Sequence, residues 1–377
     1  MQKKSFHNPG LPKANDSSER PTGHRSDEAY RQAGVDLNRA NQVVGIAKQA
    51  AEKTRQPWQL SGIGGFSGAF QIPEGYKNPV LLTACDGVGT KLKLAIASGI
   101  HHTVGIDLVA MSVNDILVNG GKPLVFLDYM ATQTIDENIL KPVLEGIAEG
   151  CRIAGCSLSG GETAEMPGFY ANNEYDLAGF CVGVVEQKNL YPKVEELAAG
   201  HCLIGLKSTG LHSNGFSLAR KILFTDHGFN LNSQVPQLQQ TLAECLLTPT
   251  RIYVDAVLRA LTVFGDDIHA MVHVTGGGFY DNIPRILPDH LSATLTGGVI
   301  KRAMPPIFTY LQELSALSNE TMWHTFNCGI GYILVVNQSR AAAIVDFFNQ
   351  STDETALLIG ELTPAKPETP KHVDIIE

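Results

Sequence analysis

The sequence predicts a mixed α/β chain of the α+β type, folded as two mixed domains, and three observations carry that prediction. At 377 residues the chain exceeds the size at which one hydrophobic core keeps growing, so two domains are expected. Short apolar runs of strand length alternate with longer stretches of helical period. The same alternation restarts after "EQKNLYPKVEELAAG", which places the domain boundary near residue 190.

The elements follow in order. Residues 1 to about 29 are rich in Pro, Gly, Ser and charge and lack an apolar stretch, so they are expected to be a flexible extension and not a secretory signal. Order is expected to begin near "AGVDLNRANQVVGIAKQAAEKTR", where Val43, Val44, Ala47, Ala50 and Ala51 share one helical face and Lys48 lies off its centre. The loop "SGIGGFSGAF" follows; its glycines allow close backbone approach, and taken alone it is equally a mobile surface loop. From residue 80 on, "PVLLTAC" reads as strand, "TKLKLAIASG" as a short helix stopped by Gly99, and "VGIDLVAMSVNDILVNGG" as a longer helix stopped by Gly120 and Gly121. "PLVFLDYMAT" reads as strand, "DENILKPVLEGIAEGCRIAG" as helix capped by Asp136, "SLSGGETAEMPG" as a strand ending in two glycines, and "YDLAGFCVGVVE" as strand. The second domain supplies strand "HCLIGLKS", helix "NGFSLARKIL" and helix "TPTRIYVDAVLRALTVF", the last with Thr248 as N-cap and Pro249 in its first position. Strand "IHAMVHVT" then runs into "GGG", and "FNCGIGYILVV", "SRAAAIVDFFNQ" and "ALLIGELT" close the domain as strand, helix and strand.

Composition removes several classes of function. A formal charge of −9 with no Lys/Arg-rich run argues against a nucleic-acid surface. No continuous apolar stretch is long enough to span a membrane. Seven scattered cysteines, odd in number and without a CxxC pair, read as reduced core residues of a cytoplasmic protein and not as a zinc site.

The chemistry concentrates around "TACDGVGTKLKLA". Asp86 ends a strand and is followed by Gly87, Gly89, Thr90 and Lys91, a phosphate-cradle composition whose spacing is not that of a P-loop. In the helix that follows, Asp107 and Asn114 are two turns apart on one face with Asp115 at its edge. Core hydrogen bonding and a carboxylate cluster for a hard cation both explain them. "SLSGGETAEMPG" adds Gly160, Gly161, Glu162 and Glu165. Acidic groups from two glycine-rich strand ends and one helix suit magnesium beside substrate phosphates, with glycine amides on the phosphate oxygens and Lys91 and Lys48 neutralising charge.

These motifs, with "GIDLVAMSVND", "STGLHSNGFSLARKIL", "LTPTRIYVDAVL", "HVTGGGFYDNIPRILP" and "TFNCGIGYILVV", resemble the phosphoribosylformylglycinamidine cyclo-ligase family from about residue 33 to the C-terminus. The resemblance implies ATP-dependent ring closure of formylglycinamidine ribonucleotide through a phosphorylated amide, with ATP and Mg2+ as cofactors. Residue by residue it implies Asp86, Asp115 and Glu162 at the metal; Lys48, Gly64, Gly65, Gly87, Gly89, Thr90, Gly160 and Gly161 around the nucleotide; and Gly276 and Gly277 at a ribose phosphate. It further implies Asp86, Lys91, His212 and Asn214 as catalytic candidates, His212 being equally a helix cap. It also implies a homodimer in which antiparallel first-domain strands form a shared barrel. One departure is Ser67, which replaces a glycine that the family loop carries. The competing expectations are a small-molecule kinase of the same superfamily, whose members carry a GGDT-like turn where this chain has "GGETAEMPG", and a catalytically silent nucleotide-binding subunit.

Overall fold

The structure, a computed structural model, describes residues 37–377, with side chains from Gln42 onward. The expected flexible extension lies outside the described residues. Helix α1 (Leu37–Glu52) buries Val43, Ala50 and Ala51, whereas Val44 is 41% exposed and falls off the predicted face. After it, Leu60 and Ala69 are tied by a backbone hydrogen bond of 2.9 Å that closes the neck of the glycine loop.

The first sheet is built from β1 (Pro79–Gly87), β2 (Lys122–Thr132), β3 (Ser157–Glu165) and β4 (Tyr175–Glu186) in the order β1-β4-β2-β3. Its pairs are antiparallel except β2/β3, which is parallel, so the expectation of antiparallel strands holds for two of the three pairs. β3 does not end at Gly160 and Gly161 as expected but runs through them to Glu165. The short helix α2 (Leu92–Ser98) stops at Gly99, whose φ of 73° places it in the left-handed region open to glycine. α3 (His102–Val118) and α4 (Glu137–Ala154) cover the inner face of the sheet; the Asp136 side chain accepts from the Asn138 amide at the start of α4, the cap the sequence predicts. They touch backbone to backbone where Gly105 meets Gly146, since a Cβ on either would overlap the other helix's main chain.

The chain then crosses to a second sheet of β5 (Cys202–Lys207), β8 (Ile268–His273), β9 (Leu291–Thr296), β10 (Ile330–Val336), β11 (Ala356–Pro364) and β12 (Val373–Ile376), ordered β12-β9-β11-β5-β10-β8. A two-residue hairpin, β6 (Gln234–Val235) and β7 (Gln240–Thr241), stands apart. Helices α5 (Phe216–Arg220), α6 (Leu242–Leu246), α7 (Val254–Phe264), α8 (Gly278–Asn282), α9 (Gly297–Ala303), α10 (Pro306–Ser315), α11 (Asn319–Thr325) and α12 (Ala341–Ser351) complete this half. β9 and β12 were not foreseen from sequence. α7 begins at Val254 and not at Thr248, because residues 248–250 are held by the first half of the chain.

Two features of this arrangement position a site. β1 is an edge of the first sheet and β8 an edge of the second. α3 packs against both, so its C-terminal end closes the gap between them.

Candidate active site between the two sheets

Asp86 lies on the inner face of β1, turned toward α3, and its Oδ1 accepts from the Gly87 amide at 2.7 Å. Partial burial pushes its carboxyl above the usual range; the charge of Asp115 adds to that shift, while the Gly87 amide and His273 oppose it. Asp115, on the last turns of α3, is 44% exposed at its side chain, and its Oδ1 meets Nδ1 of His273 at 2.8 Å. His273 ends β8, and its Nε2 is buried without a protein partner. Asp86, Asp115 and His273 thus come from β1, α3 and β8 to one place.

His212 is the second buried histidine here. It adopts φ 63°, an unusual conformation for a non-glycine residue. Its Nε2 accepts from the amides of Thr209 at 3.3 Å and Arg251 at 3.5 Å. Burial, reinforced by the neighbouring His273 and by the positive charge of Lys91 and Arg251, holds its pKa well below the usual value, so the ring is neutral with its proton on Nδ1. That Nδ1 is buried and finds no acceptor. Gly331 makes room for the ring, since a Cβ there would overlap His212 Cε1.

Other predicted residues fall nearby. Asn214 Oδ1 faces the glycine turn, 3.6 Å from where a Cβ of Gly276 would stand. Gly277 has φ 87°, and the buried Asn282 bolts the turn by donating to the carbonyls of Thr275, Gly276 and Gly278. Thr90 Oγ1 lies 3.1 Å from Ser217 Oγ across the two halves. Lys48 reaches over the glycine loop, with Nζ 3.2 Å from the position of a Cβ on Gly64.

Comparison with known proteins decides the family. Residues 69–185 match the family described as AIR synthase related protein, N-terminal domain, and residues 198–372 the corresponding C-terminal domain. The chain is 48% identical over 333 residues to the phosphoribosylformylglycinamidine cyclo-ligase of Sorangium cellulosum, covering 88% of this chain and 94% of the relative. It is 47% identical over 339 residues to that of Thermoanaerobacter pseudethanolicus, covering 89% and 98%. The chain belongs to the phosphoribosylformylglycinamidine cyclo-ligase family. In fold, this cyclo-ligase is similar to a thiamine-monophosphate kinase from Stenotrophomonas maltophilia, with a TM-score of 0.61 at 17% identity over 87% of this chain and 94% of that one. It is also similar to the hydrogenase maturation protein HypE in complex with ATP, with a TM-score of 0.59 at 15% identity over 86% of each.

The cyclo-ligase geometry corrects two sequence expectations. Lys91 does not face a ligand. It is fully buried, with Nζ 2.7 Å from Asp107 Oδ2 and donating to the carbonyls of His212 at 3.0 Å and Thr248 at 2.8 Å. Asp107 Oδ1 accepts from the amide and hydroxyl of Thr250, and Asn114 bonds the backbone of Arg251 and Tyr253, so the polar face of α3 is core hydrogen bonding that joins the two halves. Glu162 does not converge with Asp86 and Asp115. The ladder sets Asp86, Gly179, Asp128 and Gly161 in one row on the inner face and Glu162 in the next row, on the outer face. Three strand spacings, roughly 14 Å, also separate β3 from β1. Among the described residues no group of three or more His, Cys, Asp or Glu is placed to hold a metal ion. The Asp86–Asp115 pair nevertheless fits a magnesium ion that takes its remaining ligands from phosphate and water: burial is the main cause of the raised Asp86 carboxyl and the nearby Asp115 charge adds to it, and a bound cation would offset both.

Sequence reasoning missed His273, Asn282 and Asp128. His273 stands two residues before the "TGGG" turn, and that proximity was a usable signal. Asp128 breaks the apolar alternation of β2 on its core-facing side; it is buried, and a Cβ on Gly161 would overlap its carbonyl and carboxylate. Gly161 is therefore required by Asp128 before any ligand is considered. Desolvation pushes the Asp128 carboxyl up to about 7.

Proposed function

We propose that this cyclo-ligase closes the imidazole ring of aminoimidazole ribonucleotide in purine biosynthesis, consuming ATP and releasing ADP and phosphate. An amide oxygen is a poor leaving group, so transfer of a phosphoryl group to the formyl oxygen of formylglycinamidine ribonucleotide precedes attack by the amidine nitrogen. The observation that carries this reading is the meeting of Asp86, Asp115 and two buried histidines, each with an unpartnered ring nitrogen, where the edges of the two sheets approach. Magnesium, held by Asp86 and Asp115, would neutralise charge on the ATP phosphates there. Lys48 and the loop at Gly64 and Gly65 cover the nucleotide, with Gly87, Gly89, Thr90, Gly160 and the closely packed Gly161 on its phosphate side. Asn214 and the turn at Gly276 and Gly277 face the second substrate. His212, neutral with Nδ1–H free, suits hydrogen-bond donation to a developing oxyanion.

The reading also includes a division into domains at about residue 190 and a cytoplasmic homodimer. Leu81, Phe180 and Tyr129 are exposed, together with Cys85, on the outer face of the first sheet, an apolar surface that a second copy would cover as a shared barrel. All seven cysteines are free, in keeping with a reducing compartment. The test is ADP release by the purified protein with formylglycinamidine ribonucleotide supplied or withheld. Release that requires this substrate and yields aminoimidazole ribonucleotide supports the reading. A phosphorylated product that accumulates without ring closure would replace it with a kinase.

A further inference from the structure

The tautomer of His212 is set by a part of the chain remote from it. The ring is buried, and its Nε2 accepts two main-chain N–H groups, from Thr209 at 3.3 Å and from Arg251 at 3.5 Å. A main-chain amide only donates, so Nε2 bears no proton and the neutral ring carries its proton on Nδ1. That Nδ1 is buried without an acceptor, so nothing on its own side of the ring favours this form, and free histidine prefers the other one. The choice is made at Nε2. Thr209 belongs to the same turn as His212, whereas Arg251 comes from a loop 39 positions further along the chain.

That loop is irregular, since α7 starts only at Val254 and has no side-chain cap. Helix α3 of the first half holds it instead. Asp107 Oδ1 accepts from the Thr250 amide at 2.7 Å and from its hydroxyl at 2.6 Å. Asn114 Nδ2 donates to the Arg251 carbonyl at 2.8 Å, and its Oδ1 accepts from the Tyr253 amide at 3.1 Å. The Arg251 N–H therefore lies between two clamps, one on each side of it along the chain, and Asp107 and Asn114 can form both because they share a face of α3. Thr250 extends the tie. Its hydroxyl proton is committed to Asp107, so its oxygen accepts from Ser213 Oγ, beside His212, at 3.0 Å. We propose that Asn114 and Thr250 are positioning residues for ring closure, which hold the Arg251 N–H against His212 Nε2 and so fix the tautomer that makes Nδ1 the donor. The consequence for ring closure rests on the role given to His212 above; the tautomer itself depends on no substrate.

Nuclear magnetic resonance of the full-length protein, with isotope-labelled histidine ring nitrogens and no substrate, reads the tautomer directly; the His212 signals are those lost in His212→Gln. The wild type should show a protonated Nδ1 and an unprotonated Nε2. Asn114→Ala frees the Arg251 peptide, so the ring should move wholly or partly to the form protonated on Nε2. In the same variant kcat for ring closure should fall about a hundredfold, while affinity for a non-hydrolysable ATP analogue stays within about twofold. Thr250→Val, similar in shape but without the hydroxyl, should shift the tautomer in the same direction, and Thr250→Ser should restore the wild-type signals, a rescue that general loosening of the core would not give. A wild-type ring protonated on Nε2, or an Nδ1–H form that persists in a folded Asn114→Ala protein, would overturn the proposal. If Asn114→Ala does not fold, Thr250→Val and Thr250→Ser decide it, and identical signals in the two overturn it. A tautomer that shifts while turnover stays unchanged also overturns it, because the tie then serves no step. Absence of ring closure in the wild type fails the functional reading instead, a result separate from the tautomer signals.

Discussion

Replacing Lys91 by Met tests the junction that carries His212. In the folded protein the ammonium has no exposure and three acceptors within 3.0 Å: Asp107 Oδ2 from the first half, and the His212 and Thr248 carbonyls from the second. Burial lowers the Lys91 pKa, and Asp107 counters that shift, so the pair is mutually dependent. Methionine nearly preserves the volume but leaves the Asp107 carboxylate buried with Thr250 alone, and two carbonyls without a donor. Breaking a buried pair by removing one partner costs about 3–5 kcal/mol, and each abandoned carbonyl adds on the order of 1 kcal/mol. A loss of about 5–7 kcal/mol is a large share of a typical folding free energy of about 5–15 kcal/mol. Urea unfolding followed by far-ultraviolet circular dichroism measures it. A second change, Asp107→Asn, should recover part of the loss, because it removes the uncompensated charge. Turnover of the Lys91→Met protein should fall, since the His212 backbone is no longer anchored, while nucleotide affinity at low temperature stays within about threefold. A stability loss below about 1 kcal/mol, or a nucleotide affinity reduced by orders of magnitude in a folded variant, would refute the structural role and return Lys91 to the phosphate.

Three further outcomes are expected. The Asp128 carboxyl titrates at about 7 in the folded protein against 3.8 ordinarily, so its contribution to stability is fully present below pH ~4 and is lost as pH rises to about 7. Asp128→Asn should therefore flatten that decline and raise the melting temperature of the ligand-free protein at pH 8 more than at pH 4; the gap sets an upper limit on the order of 4 kcal/mol, and equal shifts at both pH values would exclude it. Asp86→Asn should reduce ring closure by orders of magnitude while leaving the ligand-free melting temperature unchanged or higher, because Asp86 is already raised by burial and by Asp115; near-normal turnover would end its assignment to the metal. Leu81→Arg combined with Phe180→Arg should halve the mass seen by light scattering from about twice 40.6 kDa, and an unchanged dimer would move the interface elsewhere.

The local punctuation was legible in the sequence because its causes are local. Gly99 ends α2 by taking a conformation that side chains resist, and Asp136 caps α4 with its own carboxylate. Short apolar runs of strand length marked β1, β2, β4, β5, β8, β10 and β11; Asp86 and Asp115 could be singled out because polar residues at strand ends and on buried helices need a reason, whereas His212 and Asn214 came only from the family resemblance. What no local pattern contains is the direction in which a side chain points after two sheets meet. Lys91, in a glycine-rich turn, has the composition of a phosphate ligand; only the approach of residues 248–250 surrounds it with acceptors and makes it a buried tie. Glu162 follows two glycines just as Asp86 precedes two, but strand order and register put them on opposite faces of one sheet. His273 is an ordinary residue of an apolar strand until α3 brings Asp115 to one of its nitrogens and leaves the other facing nothing. Residue type and spacing thus determined which elements form and which groups can do chemistry, whereas the packing of α3 between two sheet edges decided which of those groups meet, since contacts between residues more than a hundred positions apart depend on where the whole chain folds.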